Sequence, residues 1–214
     1  MRPTHGAYGA ARTLSGLSTW SKRPRRLGRA ALVVGWALAV ISSLQAQKSS
    51  PTEYEVKAAY LYNFGRFVEW PNKERPVQAT ALSGGRFTVC VLGQDPFGQA
   101  LDAALAGEDI NGANAAAIRI SKPKEAVNCR ILFISSSEDT QLKQILVALE
   151  GTSVLTVSDL PQFSQRGGMV QFVLDGKKVR FEVNLTPVEH AHLAMSSQLL
   201  KVAVNLRRSD RPGE

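Results

Sequence analysis

Several stretches of this 214-residue chain carry residue types and spacings that could do chemistry. Gly93-Gln94-Asp95-Pro96-Phe97-Gly98 stands between a strand-like and a helix-like run, where open α/β sheets bind ligands. As a phosphate loop it fails. Gln99-Ala100 stands where Lys and Ser or Thr are needed, and Pro96 removes a backbone N–H donor, so the stretch reads as a structural turn. Ser135-Ser136-Ser137 also follows a strand, without a G-x-S-x-G elbow or a base close by. His190 and His192 are two apart on a predicted helix and point in different directions, which suits neither a shared metal nor a triad. No carboxylate pair stands out. No residue volunteers for catalysis, which leaves an enzyme open but without named machinery, and no cofactor or metal is expected.

Arg180, Glu182 and Asn184 form the better polar cluster, because alternate strand positions put three different hydrogen-bonding groups on one face. The ordinary reading is the solvated outer face of a hairpin. The functional reading is a small anionic or amphoteric ligand held by the arginine. Cys90 and Cys129 are the only cysteines, with no metal-binding spacing to compete for them. In an oxidising compartment they can form a single disulfide, worth roughly 3–4 kcal/mol on the chain-entropy model. The alternative is two buried thiols on strands.

The compartment is read from the leader. The formal charge is +8, yet Arg2, Arg12, Lys22, Arg23, Arg25, Arg26 and Arg29 all precede residue 47, where no acidic residue occurs. Subtracting those seven charges from +8 leaves +1 for residues 47–214. The remaining chain has no blocks of Lys and Arg of the kind that track phosphate backbones, which excludes nucleic acid as a partner. A basic stretch, the apolar run Ala30 to Ile41 and small polar residues up to Ala46 follow the order of a secretory signal. The run is short of the about 20 apolar residues that a membrane helix needs. The expectation is export by the general secretory route to an oxidising compartment, with cleavage after Ala46. That favours the disulfide over the two thiols.

The elements that must position these groups begin with Tyr54 to Trp70, which reads as one amphipathic helix. Ser50-Pro51-Thr52-Glu53 gives a capping box with Pro at the first turn, and Pro71 marks the end. Val56, Tyr60, Phe64, Phe67 and Val68 recur on one face, with Lys57, Arg66 and Glu69 on the other. Strands are predicted over 86–92, 116–120, 129–135 and 154–158, and helices from Asp95 and over 140–150. Asp175-Gly176 between 169–174 and 178–184 is the best hairpin signal. A last helix is predicted from Pro187 to about Arg208, with Val188, Ala191, Met195, Leu199, Val202 and Leu206 inward and a break near Ser196-Ser197. The alternation predicts an α/β fold: a single layered domain, a mixed sheet of about six strands with helices on both faces, and a C-terminal hairpin plus helix. The expected division is a secretory signal over 1–46, the domain over 47–208 and a frayed tail over 209–214.

Read together, Lys57-Ala58-Ala59-Tyr60-Leu61-Tyr62-Asn63-Phe64, Phe67-Val68-Glu69-Trp70-Pro71 and Cys90-Val91-Leu92-Gly93 resemble the YfiR-like family of periplasmic proteins. So do Cys129-Arg130-Ile131-Leu132-Phe133-Ile134, Leu155-Thr156-Val157-Ser158-Asp159, Gly167-Gly168-Met169, Arg180 to Leu185 and Ser196-Ser197-Gln198-Leu199-Leu200. The resemblance implies a non-enzymatic regulator that binds the periplasmic sensor domain of an inner-membrane diguanylate cyclase, holds it inactive and so lowers cyclic-di-GMP signalling. It also implies release through an outer-membrane lipoprotein partner or stress, a homodimer, and a disulfide between cysteines placed like Cys90 and Cys129. A second cysteine pair of the best-known member has no counterpart here. The alternative is a periplasmic small-ligand receptor acting with a transporter or sensor kinase. Tyr62 and Trp70 are expected near an edge where a partner or second subunit docks.

Overall fold

The computed structural model describes residues 50–71 and 85–208. The predicted leader, the tail and most of the polar connection after Pro71 lie outside the described residues. Helix α1 (Glu53–Phe67) is capped by Thr52, not Ser50. The Thr52 side chain accepts from Glu55 N, and Glu55 Oε2 accepts from Thr52 N at 2.6 Å, the reciprocal capping pair. These hydrogen bonds from Thr52 hold the Glu55 carboxyl below its usual range. The helix stops at Phe67 and passes directly into β1 (Val68–Glu69).

The buried seam of α1 is Lys57, Ala58, Leu61, Phe64 and Gly65, which is turned from the expected face. Small residues decide this. A Cβ on Gly65 would stand 2.8 Å from Ile110 Cδ1 and 3.0 Å from Phe87 Cε1, so the helix backbone lies close against its neighbours there. Tyr60 and Phe67 flank the seam, half-buried.

The remaining elements are β2 (Phe87–Leu92), α2 (Gln99–Leu105), β3 (Asp109–Ile110), β4 (Ala113–Ile120) and a 3-10 turn over Pro123–Asn128. Then come β5 (Ile131–Ile134), a 3-10 turn over Ser136–Gln141, α3 (Leu142–Ala148), β6 (Leu155–Ser158), β7 (Val170–Asp175) and β8 (Lys178–Asn184). The chain closes with α4 (Leu185–His190), β9 (Ala194–Met195), α5 (Ser197–Val202) and β10 (Asn205–Arg207). The main sheet has eight strands in the order β10-β8-β7-β6-β5-β2-β4-β3, and β1 pairs with β9 apart from it. Strands β4, β2, β5, β6 and β7 are parallel, while β8 returns antiparallel to β7.

The expected α/β class holds, with eight strands in place of about six. The two additional ones, β3 and β10, have two and three residues, too few for an alternating pattern. Alternate residues of the central strands fill two cores. Val89, Val91, Ile131, Phe133, Leu155 and Val157 meet α1 and α2, whereas Cys90, Leu92, Leu132 and Ile134 meet α3 and the first 3-10 turn. All six residues of β2 are buried, as a central strand requires.

The long C-terminal helix is corrected. The chain turns at His192, whose φ of 56° ends the helical run, and Ser196 caps a separate helix by accepting from Leu199 N. Val188, Ala191 and Leu199 face inward as expected, but Val202 and Leu206 are exposed. The helix expected over 140–150 begins instead with a 3-10 turn and is α-helical only from Leu142. Among the described residues no helix is long and apolar enough to cross a membrane.

Candidate functional site

The chain enters at β2, moves to β4 on one side and then crosses to β5 on the other, so strand order reverses between β2 and β5. Ligands of open α/β sheets occupy the carboxyl side of such a reversal. Here the Gly93–Gly98 turn and the Ser135–Ser137 loop meet each other. Gln94 N donates to Ser137 Oγ at 2.9 Å, and a Cβ on Gly93, whose φ is 89°, would stand 2.3 Å from that oxygen. Phe97 fills the space beneath, its ring 4.7 Å from that of Phe133 and 5.4 Å from that of Tyr54.

Beside this crevice lies a charged cluster. Asp159, just after β6, accepts from Lys57 Nζ at 2.6 Å and from the Tyr54 hydroxyl at 3.0 Å. Glu53 reaches the same ammonium at 2.5 Å, and Nζ lies 4.4 Å from the centre of the Tyr54 ring. Lys57 is only 2% exposed, so the pairing is what makes its burial tolerable. Burial, and then the charge of Asp159, push the Tyr54 hydroxyl up to about 12. The cluster fastens the first turn of α1 to the end of β6. Reading Lys57 as part of the outer face missed it. The signal was there in the i,i+4 spacing of Glu53 and Lys57, but its partner lay 102 residues away.

A second cluster surrounds Ser164. Gln171, directly across the hairpin from Glu182, accepts from Ser164 N at 3.0 Å. The Ser164 hydroxyl lies 3.3 Å from Gln171 Oε1 and 3.2 Å from Glu182 Oε2, and its single hydrogen serves one of them at a time. Asn184 Nδ2 donates to Ser164 O at 2.8 Å, while its buried Oδ1 has no partner among the described residues. Glu182 and Asn184 are therefore brought together around Ser164, and Arg180 is exposed on the outer stretch of β8. Ser164 and Gln171 were not expected at this site, although the hairpin register alone places Gln171 opposite Glu182.

A groove of about 470 Å³ is lined by Lys143, Leu146, Glu150, Arg166, Met169 and His190, and none of Arg180, Glu182 and Asn184 lines it. Arg166 is held there by Asp139 at 2.5 Å. His190 and His192 are both exposed. Among the described residues no group of three or more His, Cys, Asp or Glu is placed to hold a metal.

The expected docking pair separates. Tyr62 is half-buried and donates to Glu108 at 2.5 Å, a hydrogen bond that raises its hydroxyl above the ordinary range. Trp70 is buried, with its ring edge-on to Phe87 at 5.3 Å, so it belongs to the core and not to a docking edge. Its apolar bulk covers the start of β2. Cys90 and Cys129 form the disulfide, with Cα atoms 5.9 Å apart.

The YfiR/HmsC-like family model matches residues 54–204. Among solved structures, the chain is similar to a conserved domain protein from Vibrio cholerae O1 biovar eltor, with TM-score 0.50 and 9% identity over 74% of this chain and 62% of that one. The chain thus spans less than two thirds of that protein, and the likeness concerns the fold alone. The ABC domain in complex with L-Trp from Streptococcus pneumonia has TM-score 0.43 and 10% identity, covering 64% of this chain and 60% of that one, a likeness too slight to bear on function.

Proposed function

The chain belongs to the YfiR/HmsC-like family of periplasmic regulators, and from that premise we propose that it is a non-enzymatic repressor. Its target is the periplasmic sensor domain of an inner-membrane diguanylate cyclase, and its effect is to lower cyclic-di-GMP signalling. An outer-membrane lipoprotein is the proposed counter-partner that draws it away. The observation that carries this reading is the family match over residues 54–204. The Cys90–Cys129 bridge supports an oxidising compartment. Repression needs only a difference in affinity between two states of the target, which a binding surface supplies without catalytic groups. Deleting the gene should raise cyclic-di-GMP. An unchanged level, with and without envelope stress, would count against the repressor.

One observation favours a second reading, a small-ligand receptor acting with a transporter or sensor kinase. Asn184 Oδ1 has no partner among the described residues, and Glu182 and Arg180 stand at alternate positions of the same strand, where the arginine supplies a cation. Such a site fits an amphoteric ligand. Calorimetry with amino acids and nucleotides should show binding that Arg180→Ala abolishes. No heat with either class would dismiss the receptor.

A further inference from the structure

Charge and apolar exposure are unevenly divided over the described residues. Residues 169–208 carry Lys177, Lys178, Arg180, Lys201, Arg207 and Arg208 against Asp175, Glu182 and Glu189, six cations less three anions, or +3. The described residues before them, 50–71 and 85–168, carry nine cations less twelve anions, or −3. All six cations of the later stretch are exposed, and only Arg208 meets a carboxylate among the described residues, that of Glu189. The large hydrophobic side chains divide the same way. Of the six that are exposed, four stand in this stretch: Leu174 and Val202 at 56% each, Val204 and Leu206 at 47% each.

The strand register gathers these residues along one margin of the sheet. β7 and β8 close their hairpin at Asp175↔Lys178, with Lys177 in the turn. β10 is the outermost strand beyond β8 and runs parallel to it, from Asn205↔Glu182 to Arg207↔Asn184, and Val204 N donates to Phe181 O at 2.9 Å. Lys201 and Val202 precede Val204 and so lie toward the hairpin turn. Directly opposed residues of neighbouring strands point to the same side of a sheet, which puts Arg207 on the face of Lys178 and Arg180. Val204 and Leu206 take the other face, with Phe181 and Val183, at the outer limit of the core. Seen edge-on, the margin therefore has an apolar flank and a cationic flank. Because the Val204 N–H points to β8, those of Asn205 and Arg207 point outward and add two donors between the flanks.

We propose that this margin docks on the surface of a bilayer that contains anionic phospholipid. Its cations and outward N–H groups meet the phosphates, while Leu174, Val202, Val204 and Leu206 enter the headgroup boundary. Charge complementarity selects an anionic surface, since every Lys or Arg held near one adds an attraction that salt screens. The exposed apolar side chains select lipid over a soluble polyanion, which offers them nothing to enter. A partner's β-strand fits this edge less well, because β10 has three residues and carries Arg207, and short, charged edge strands discourage pairing. The remainder of the described chain, at −3, is repelled by the same surface, so repulsion and attraction together orient the molecule. Attachment is reversible, with side chains at the boundary and nothing crossing it. The docking goes beyond the repressor reading, for it assigns a lipid surface, not a protein, to this part of the chain.

The test is co-sedimentation of the chain, as recovered from an exporting host, with vesicles of phosphatidylcholine or of an equal mixture with phosphatidylglycerol. Binding is expected with the mixture alone and should weaken as salt is raised. Lys178→Gln with Arg207→Gln should weaken it by at least about tenfold, at roughly fivefold per cation. Lys122→Gln with Lys124→Gln removes the same charge beside β4, near the other end of the sheet, and should change binding little. Leu206→Trp puts an indole on the margin, apart from the buried Trp70, and its emission should move to the blue on the mixed vesicles. Equal binding to both vesicles, or to neither, overturns the proposal. So does an equal loss from the two charge pairs, which would report net charge and not the margin. An indole whose emission stays unmoved while the chain sediments also overturns it, since contact is then by charge alone, as with an acidic protein. Should Leu206→Trp perturb the fold, Val202→Ser decides: binding that is undiminished at every salt concentration overturns the proposal.

Discussion

At the end of β6, Lys57 meets two carboxylates and the face of a tyrosine ring, and the tyrosine hydroxyl meets Asp159. Around Ser164, by contrast, the Glu182 carboxylate and Gln171 Oε1 compete for one hydroxyl hydrogen, Asn184 Nδ2 donates to Ser164 O, and Asn184 Oδ1 has no partner among the described residues. The first cluster is charged, centred on a buried ammonium and closed on itself. The second leaves one buried acceptor without a partner among the described residues. Burial alone thus does not separate a polar group that holds a fold from one that can receive something; the balance of donors and acceptors does.

The largest expected effect tests the closed cluster. Asp159→Ala strips the buried ammonium of its principal partner and should cost about 3–5 kcal/mol in urea denaturation. The double variant Lys57→Met with Asp159→Leu should recover most of that loss, because an apolar pair of similar volume needs no desolvation. If Asp159→Ala costs no more than a surface substitution, the cluster does not fasten α1. Asn184→Ala should cost less, about 1–3 kcal/mol, since it forfeits one amide hydrogen bond to Ser164 O and leaves no unpaired charge. Equal losses for the two variants would erase the distinction drawn between the clusters.

The smallest effect is a pH dependence. The Tyr54 hydroxyl is raised from its ordinary 10.0 to about 12, chiefly by burial and then by Asp159. Between those values the unfolded chain releases a proton that the folded chain retains, so stability is intact below 10.0 and declines as pH rises to about 12. An alkaline denaturation series on Tyr54→Phe should decline less steeply than wild type across that window. Parallel curves would place the tyrosine outside the cluster's electrostatics.

The long apolar strands were legible in the sequence because burial on both faces leaves unbroken runs, as in Phe87–Leu92 and Ile131–Ile134. Their pairing order was not. The capping box was readable in kind but shifted by two residues, since Ser50-x-x-Glu53 and Thr52-x-x-Glu55 both fit the pattern and only geometry chooses between them. Trp70 shows a different limit. A tryptophan before a proline at a helix end reads as an exposed rim, whereas the passage of α1 into β1 swings the ring onto Phe87. Lys57 was misplaced because helical periodicity assigns a face but does not reveal an aspartate that arrives from another strand.

The disulfide has a topological consequence. Cys90 lies on β2 and Cys129 stands 39 residues further along, so α2, β3, β4 and the first 3-10 turn all belong to one covalent ring. A protease that nicks this ring once leaves the molecule in one piece, its two halves still bolted together next to the central strand. The excursion that carries β4 can therefore be cut, or can melt locally, without the rest of the domain letting go of it.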